Sequence, residues 1–270
     1  MKKEVKLVNK IKRLLKRLGC PRWLHRFGPK TYELYQHLSA LLVRYYCKGL
    51  SYRRTTKLLD LLGFRCPSKS ALQYNSKKIP SWLWNKAVEI TSGINHYIIA
   101  IDSTGLSRTN PSYYYLKRID GKMPKIPIKL SAALNTKTKK FCAAKIRVLP
   151  SHDIKDAKYL VMKSKPKIIV ADKGYDANWL HKFCSENKIE AHIPMRNNGK
   201  VRIHNMSCRR KAAKLFRKRT YSRRELIESG FFSFKQKYGS SVNSKSARTI
   251  KAEVYGKIIC HNLFGINLEI

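Results

Sequence analysis

Two short apolar runs interrupt a strongly polar chain in the same way. Tyr97-Ile98-Ile99-Ala100-Ile101 is followed by Asp102, and Lys167-Ile168-Ile169-Val170-Ala171 is followed by Asp172. Runs of this length, rich in β-branched residues, predict buried strands. Each strand ends on a carboxylate, and after the second Gly174 lets the chain turn. A side chain at the carboxyl end of an interior strand is held at the rim of a sheet, where ligands bind in open α/β folds. A third pattern lies further on. Ile227, Phe231, Phe234 and Tyr238 repeat at helical spacing within a helix-like stretch from Tyr221 to Tyr238. Arg224, Glu228 and Lys235 fall on an adjoining face of that helix. Burying the apolar stripe on the sheet turns Glu228 towards the two aspartates.

The remaining pattern fills in an architecture. Residues 103 to 124, including Tyr113-Tyr114-Tyr115, read as an irregular excursion whose tyrosines pack inward or, as the alternative, stack on bases. Ile126 to Leu134 and Lys140 to Val148 predict a hairpin. Helices follow over Asp153 to Met162 and from about Asp176 to Glu186, with a short strand between Ile189 and Ile193. A closing helix spans Ala247 to Phe264, with Val254, Ile258 and Ile259 inward. Three antiparallel strands followed by helix, strand, helix, strand give an α/β order around one mixed sheet flanked by helices. The first 94 residues read as all-helical. Val8, Ile11, Leu15 and Leu18 share one face of a basic helix, and residues 31–50 form another. Ser51 caps a third that Gly63 stops, and Ser68 starts a fourth. Helix, short turn, helix is the outline of a helix-turn-helix. A last helix runs from Pro80 to Gly93, with Trp82 and Trp84 as core anchors. The expected division is 1–94 as a DNA-binding region and 95–270 as a catalytic domain.

Charge changes the picture most. The chain of 270 residues has 58 Lys and Arg against 16 acids, a net charge of +42. A field of that sign calls for a polyanionic partner, and nucleic acid fits best. Arg196 to Arg224 holds twelve Lys or Arg and no acid, and reads as a phosphate-binding wall beside Glu228. The hydrophobic content of 43% is enough for a core and excludes wholesale disorder. No apolar run is long enough to span a bilayer, and the N-terminus lacks a signal-peptide core. The expected location is cytoplasmic, on the nucleoid, with no membrane partner. Seven scattered cysteines suit free thiols in a reducing compartment. His181-x2-Cys184 and His204-x3-Cys208 match no strong zinc pattern.

Asp102, Asp172 and Glu228 on converging elements would form an all-oxygen site for a hard divalent cation, Mg²⁺ or alternatively Mn²⁺. Two such ions suit in-line displacement at phosphorus. Arg224 and Lys235 would neutralise nearby phosphates. The other reading of the same residues is structural: the aspartates cap the following turns, and Glu228 pairs with Arg224.

These residues also carry a family resemblance. Tyr221-x2-Arg224-x3-Glu228-x6-Lys235 resembles the Tyr-Arg-Glu-Lys signature of DDE transposases from bacterial and archaeal insertion sequences. Ile101-Asp102-Ser103-Thr104 resembles that family's first aspartate segment, and Ala171-Asp172-Lys173-Gly174-Tyr175-Asp176 its second. The resemblance covers roughly residues 95 to 265. It implies a ribonuclease H-like catalytic fold, Asp102, Asp172 and Glu228 as catalytic metal ligands, and Tyr221, Arg224 and Lys235 holding the DNA backbone. It further implies homodimers or larger assemblies on double-stranded DNA, with terminal inverted repeats and target DNA as partners. Some relatives carry a long β-rich insertion between the second aspartate and the glutamate. Here these lie 56 positions apart, which leaves no room for such an insertion. The expected activity is metal-dependent DNA cleavage and strand transfer. The alternatives are a catalytically silent DNA-binding protein, or a metal-dependent nuclease without joining activity.

Overall fold

The computed structural model of the protein describes residues 2–24, 27, 30–93, 95–108, 127–196 and 207–264. The helices in chain order are α1 (Lys2–Arg17), α2 (Leu34–Tyr46), α3 (Tyr52–Leu61), α4 (Lys69–Ser76), α5 (Ser81–Ser92), α6 (Ile154–Ser164), α7 (Asn178–Glu186), α8 (Ser207–Leu215), α9 (Lys218–Tyr221), α10 (Glu225–Tyr238) and α11 (Ala247–Phe264). The central sheet is made of β1 (Ile98–Arg108), β2 (Ile128–Asn135), β3 (Phe141–Arg147), β4 (Ile168–Ala171) and β5 (Glu190–His192). The chain separates into two compact units. One is Met1–Thr91 with Phe234–Ile270, and the other is Ser92–Ser233. The closing helix α11 therefore groups with the N-terminal helices. Among the described residues no helix is long and apolar enough to cross a membrane.

In the helical unit, α1 buries Ile11, Leu14 and Leu15. The predicted stops and starts are in place. Ser51 Oγ accepts from Arg54 N at 3.2 Å, Ser68 Oγ accepts from Ala71 N at 3.3 Å, and Gly63 ends α3 with φ +69°. Helices α3 and α4 pack on each other and on α2. Trp84 is buried but Trp82 is 55% exposed, which corrects the reading of both as core anchors. Helix α11 lies on α2 so closely that only hydrogen fits at Gly256, where an added Cβ would meet Tyr45 Cδ2 at 2.1 Å. Buried charges beside this contact are paired. Glu253 accepts from Ser244 N at 2.9 Å and Ser244 Oγ at 2.7 Å, with Lys257 Nζ at 3.3 Å.

The other unit is built on the sheet in the order β3-β2-β1-β4-β5. β1, β2 and β3 are antiparallel neighbours, and β4 and β5 run parallel to β1. Three antiparallel strands, then two parallel strands that each follow a helix, make a mixed, ribonuclease H-like sheet. Its two faces separate by residue parity, because side chains alternate along a strand and paired residues share a face. One face carries Ile99, Ile101, Ala133, Ala143, Ile169 and Ala171, packed under α6 and α7. The opposite face carries Leu134, which lies under Gly230 of α10. On the same helix Ile227 is fully buried, and Phe231 stacks on Phe141 with ring centroids 5.7 Å apart. The first part of the α10 stripe thus meets the sheet, whereas Phe234 and Tyr238 belong to the helical unit, where both rings lie against His261 of α11.

Three expectations change. β1 does not end at Asp102 but continues to Arg108, with Ser103 to Leu106 paired to Ser131 to Ile128 of β2. The long-range partner satisfies a backbone whose residues, Ser103, Thr104 and Gly105, look like loop. The excursion predicted from 103 is therefore strand as far as 108. Residues 109–126, with the three tyrosines, lie outside the described residues. The single helix expected from Tyr221 is instead α9, a 3₁₀ turn over Ser222–Arg224, and α10. The helix expected from Asp176 begins at Asn178, after a 3₁₀ turn over Lys173–Tyr175.

Replacing Gly256 by Ala is expected to destabilise the protein by about 1–3 kcal/mol through overpacking against Tyr45. A lower urea midpoint would register it. Gly230→Ala, whose tightest contact is the far end of the Leu134 side chain at 3.1 Å, should cost less.

Candidate active site

The position of each carboxylate follows from strand register. Ile101 of β1 pairs with Ala171 of β4 in parallel, so the next residues, Asp102 and Asp172, leave that ladder side by side. Asp102 pairs across β2 with Ala132, two residues from Leu134, which places it on the face covered by α10. Asp172 has the parity of Val170 and shares that face. Tyr175 is buried in the opposite core and anchors the turn behind Asp172. The 3₁₀ turn before α10 keeps Arg224 one helical turn from Glu228, and Arg224 Nη1 donates to Glu228 Oε1 at 2.5 Å. Tyr221 is half-buried with its ring 5.4 Å from that of Phe216. Lys235 lies seven residues beyond Glu228 on the same helix.

Electrostatics link these groups. The Asp102 carboxyl is pushed up to about 6, first by burial, with the charges of Asp172 and Glu228 adding to the rise. The Ser103 N–H, at 2.7 Å, and the Arg224 guanidinium oppose it. A cation bound there would relieve this repulsion. The donor set is all carboxylate oxygen, which suits Mg²⁺ or Mn²⁺. The three do not close into a ligand cage in this structure. Among the described residues no group of three acidic, His or Cys side chains is placed to hold a metal ion. Glu228 is turned to Arg224, and Asp172 Oδ1 accepts from Gly174 N at 2.8 Å. Two contacts expected on the structural reading, the Asp172 cap and the Glu228–Arg224 pair, are therefore present too, while Asp102 lies inside β1 and caps no turn. That reading does not account for the side-by-side placement of the aspartates. The Arg224–Glu228 pair is solvent-accessible, with Glu228 53% exposed, and such pairs contribute about 1 kcal/mol or less.

The basic segment beside the site is divided. Arg210, Lys211, Lys214, Arg217, Lys218, Arg219 and Arg223 are exposed and suit phosphate contact. Arg209 is buried against Asp176 instead. Residues 197–206, with His204, lie outside the described residues. His181 Nε2 lies 3.0 Å from Asp176 Oδ1. Sequence reasoning assigns Asp176 no role of its own. A signal for one is present, since it stands four residues after Asp172 in a chain with few acids.

The raised Asp102 sets the sign of a pH effect. Its proton is held more tightly in the folded state than in the unfolded chain. The stability this contributes is fully present below about pH 4, the ordinary carboxylate value, and is lost as pH rises through about 6. Asp102→Asn should therefore raise the thermal midpoint of the metal-free protein above pH 6, with the gain vanishing at low pH. Thermal melts of both proteins across that range check it.

The chain matches the family described as the transposase DDE domain over residues 94–263. No curated protein matches it in sequence. Among solved structures it is similar to a piggyBac transposase synaptic complex with hairpin DNA. The identity is 12% and the TM-score 0.47, covering 97% of this chain and 72% of that one. The family match spans the whole sheet together with the helix that carries Glu228, and the chain belongs to the DDE transposase domain family.

Proposed function

We propose that this protein is the transposase of an insertion sequence, of the group with the Tyr-Arg-Glu-Lys signature, and that it cleaves DNA and joins the freed end to a target. The observation that carries the reading is the parallel register of Asp102 beside Asp172, on the face covered by the helix of Glu228. Asp102, Asp172 and Glu228 would hold Mg²⁺, with Mn²⁺ as a substitute, as a pair of ions. When bound, the ions stabilise charge on the phosphodiester oxygens and lower the pKa of an attacking water. The chain's own residues do the rest. Asp102 and Asp172 are held rigid by the strand ladder and by the turn that Asp172 caps. Arg224, whose charge acts on both Asp102 and Glu228, neutralises phosphate next to the scissile bond. Tyr221 and Lys235 hold the DNA backbone on either side. The exposed cations from Arg210 to Arg223 carry flanking DNA. The α3–α4 pair, with Lys69, Ser70, Gln73 and Lys77 exposed on and just beyond α4, reads the terminal inverted repeats. The protein works as a homodimer assembled on two ends, in the cytoplasm. A 1–94 DNA-binding region and a 95–270 catalytic domain remain the proposed division of labour.

A second reading, a DNA-binding protein without catalysis, is favoured by one observation: Glu228 is already engaged by Arg224. One experiment separates the readings. Purified protein and a Glu228→Gln variant are incubated with labelled duplex from both flanks of the gene, target plasmid and Mg²⁺ or Mn²⁺. The expected result is cleavage at a repeat boundary and joined products, both lost in the variant. Cleavage without joining means a nuclease. Tight binding with neither product in either metal sinks the catalytic reading.

A further inference from the structure

Asp176 lies at the centre of a buried network that fastens the basic segment to the turn bearing Asp172. Its carboxylate is fully buried. Arg209 Nε donates to both of its oxygens, at 2.9 and 3.0 Å, and Arg209 Nη2 donates to Oδ2. The backbone N–H of Arg196 donates to Oδ2 at 2.7 Å, and His181 Nε2 lies 3.0 Å from Oδ1. Two further bonds close the circuit. Arg209 Nη2 donates to Arg196 O at 3.0 Å, and Arg196 Nε donates to Lys173 O at 2.7 Å. Asp176 is free to do this because the helix expected to include it starts two residues later, at Asn178.

The two faces of α8 give the network its meaning. Arg209 points inward to Asp176, while Arg210, Lys211 and Lys214 are exposed on the same helix. Those cations are therefore tied, through one buried carboxylate and one turn of chain, to Asp172. A bidentate Arg–carboxylate pair has a fixed geometry that a lysine pair lacks. Removing one member leaves a buried charge without its partner.

We propose that Asp176 is a positioning residue that fixes α8, with its exposed Arg210, Lys211 and Lys214, relative to Asp172, so that the DNA phosphates and the reacting centre are held in one register. The proposal rests on the reading of Asp172 as a ligand in a DNA-processing site. Its function is geometric: Asp176 touches neither DNA nor metal.

The test compares the full-length protein with Asp176→Asn and Arg209→Lys. Hydrogen exchange is followed along α8 and along β1 and β2. Binding to duplex DNA is measured against salt, and single-turnover cleavage at saturating DNA. The expected result for Asp176→Asn is faster exchange in α8 with β1 and β2 still protected. The slope of log affinity against log salt becomes shallower because fewer phosphates are engaged. Cleavage falls about tenfold to a hundredfold at saturating DNA, as expected of a misplaced substrate. Arg209→Lys, which keeps the charge and loses the fork, shows the same changes to a smaller degree. A core variant of matched thermal midpoint, such as Leu160→Val, leaves the salt slope unchanged. Wild-type exchange and salt slope in Asp176→Asn overturn the proposal. So does loss of β1 and β2 protection together with α8 in both variants, because the network is then a support of the whole fold. Exchange and salt slope need no turnover. A wild-type protein that never cleaves therefore counts against the proposed function, while these two readouts still decide the role of Asp176.

Discussion

Everything at the candidate site depends on the parallel hydrogen-bond ladder between β1 and β4. Four paired positions, from Ile98–Ile168 to Ile101–Ala171, set where the two strands stop running together. Side chains alternate, so a slip of one residue would send Asp172 to the other face, into the apolar core beneath α6 and α7. The apolar pattern of both strands therefore enforces the position of the charges. Ile169 and Ala171 must face that core, and Asp172 then faces α10. β1 also continues past Asp102 against β2, so the aspartate lies within a paired strand and not at a frayed end.

The two sheet faces serve different purposes. The face under α6 and α7 is a closed apolar core. Its border carries satisfied polar contacts, such as Ser131 to Asp156 at 2.9 Å and Arg147 to Asp156 at 2.6 Å. The face under α10 is apolar beneath Gly230 and Phe231 and acidic at the strand rim. A single helix covers both zones. Gly230 on Leu134 and Phe231 on Phe141 fix its height on the sheet, and the place of Glu228 follows from that. Acids are scarce in a chain of this charge, and several have structural partners. Asp176 holds Arg209, Asp156 holds Arg147, and Glu253 gathers Ser244 and Lys257.

Much of this is legible in the sequence because it is local. Strands β4 and β5, the caps at Ser51 and Ser68, the stop at Gly63 and the stripe of α10 depend on residues within a few positions. What the sequence conceals depends on distant partners. The second half of β1 reads as loop until Ile128 to Ser131 supply its hydrogen bonds. Trp82 and Trp84 look equivalent, yet only Trp84 meets the core. Arg196 and Arg209 count among twelve surface-like cations, and nothing nearby announces that a carboxylate 20 and 33 positions upstream binds them both. The placement of Asp102 and Asp172 is readable from two apolar runs. The orientation of Glu228 is not, because two flexible side chains one turn apart choose their contacts by the charges around them.

On the proposed function, the Arg224–Glu228 contact would make two binding events depend on each other. Each partner would then be wanted elsewhere, the guanidinium by a phosphate and the carboxylate by a cation. A ligand that draws away one leaves the other free at no further cost, and thermodynamic linkage makes the effect equal in both directions. A single exposed ion pair on one turn of helix would thus act as an interlock. Polyanion and cation would each be held more firmly in the presence of the other than alone.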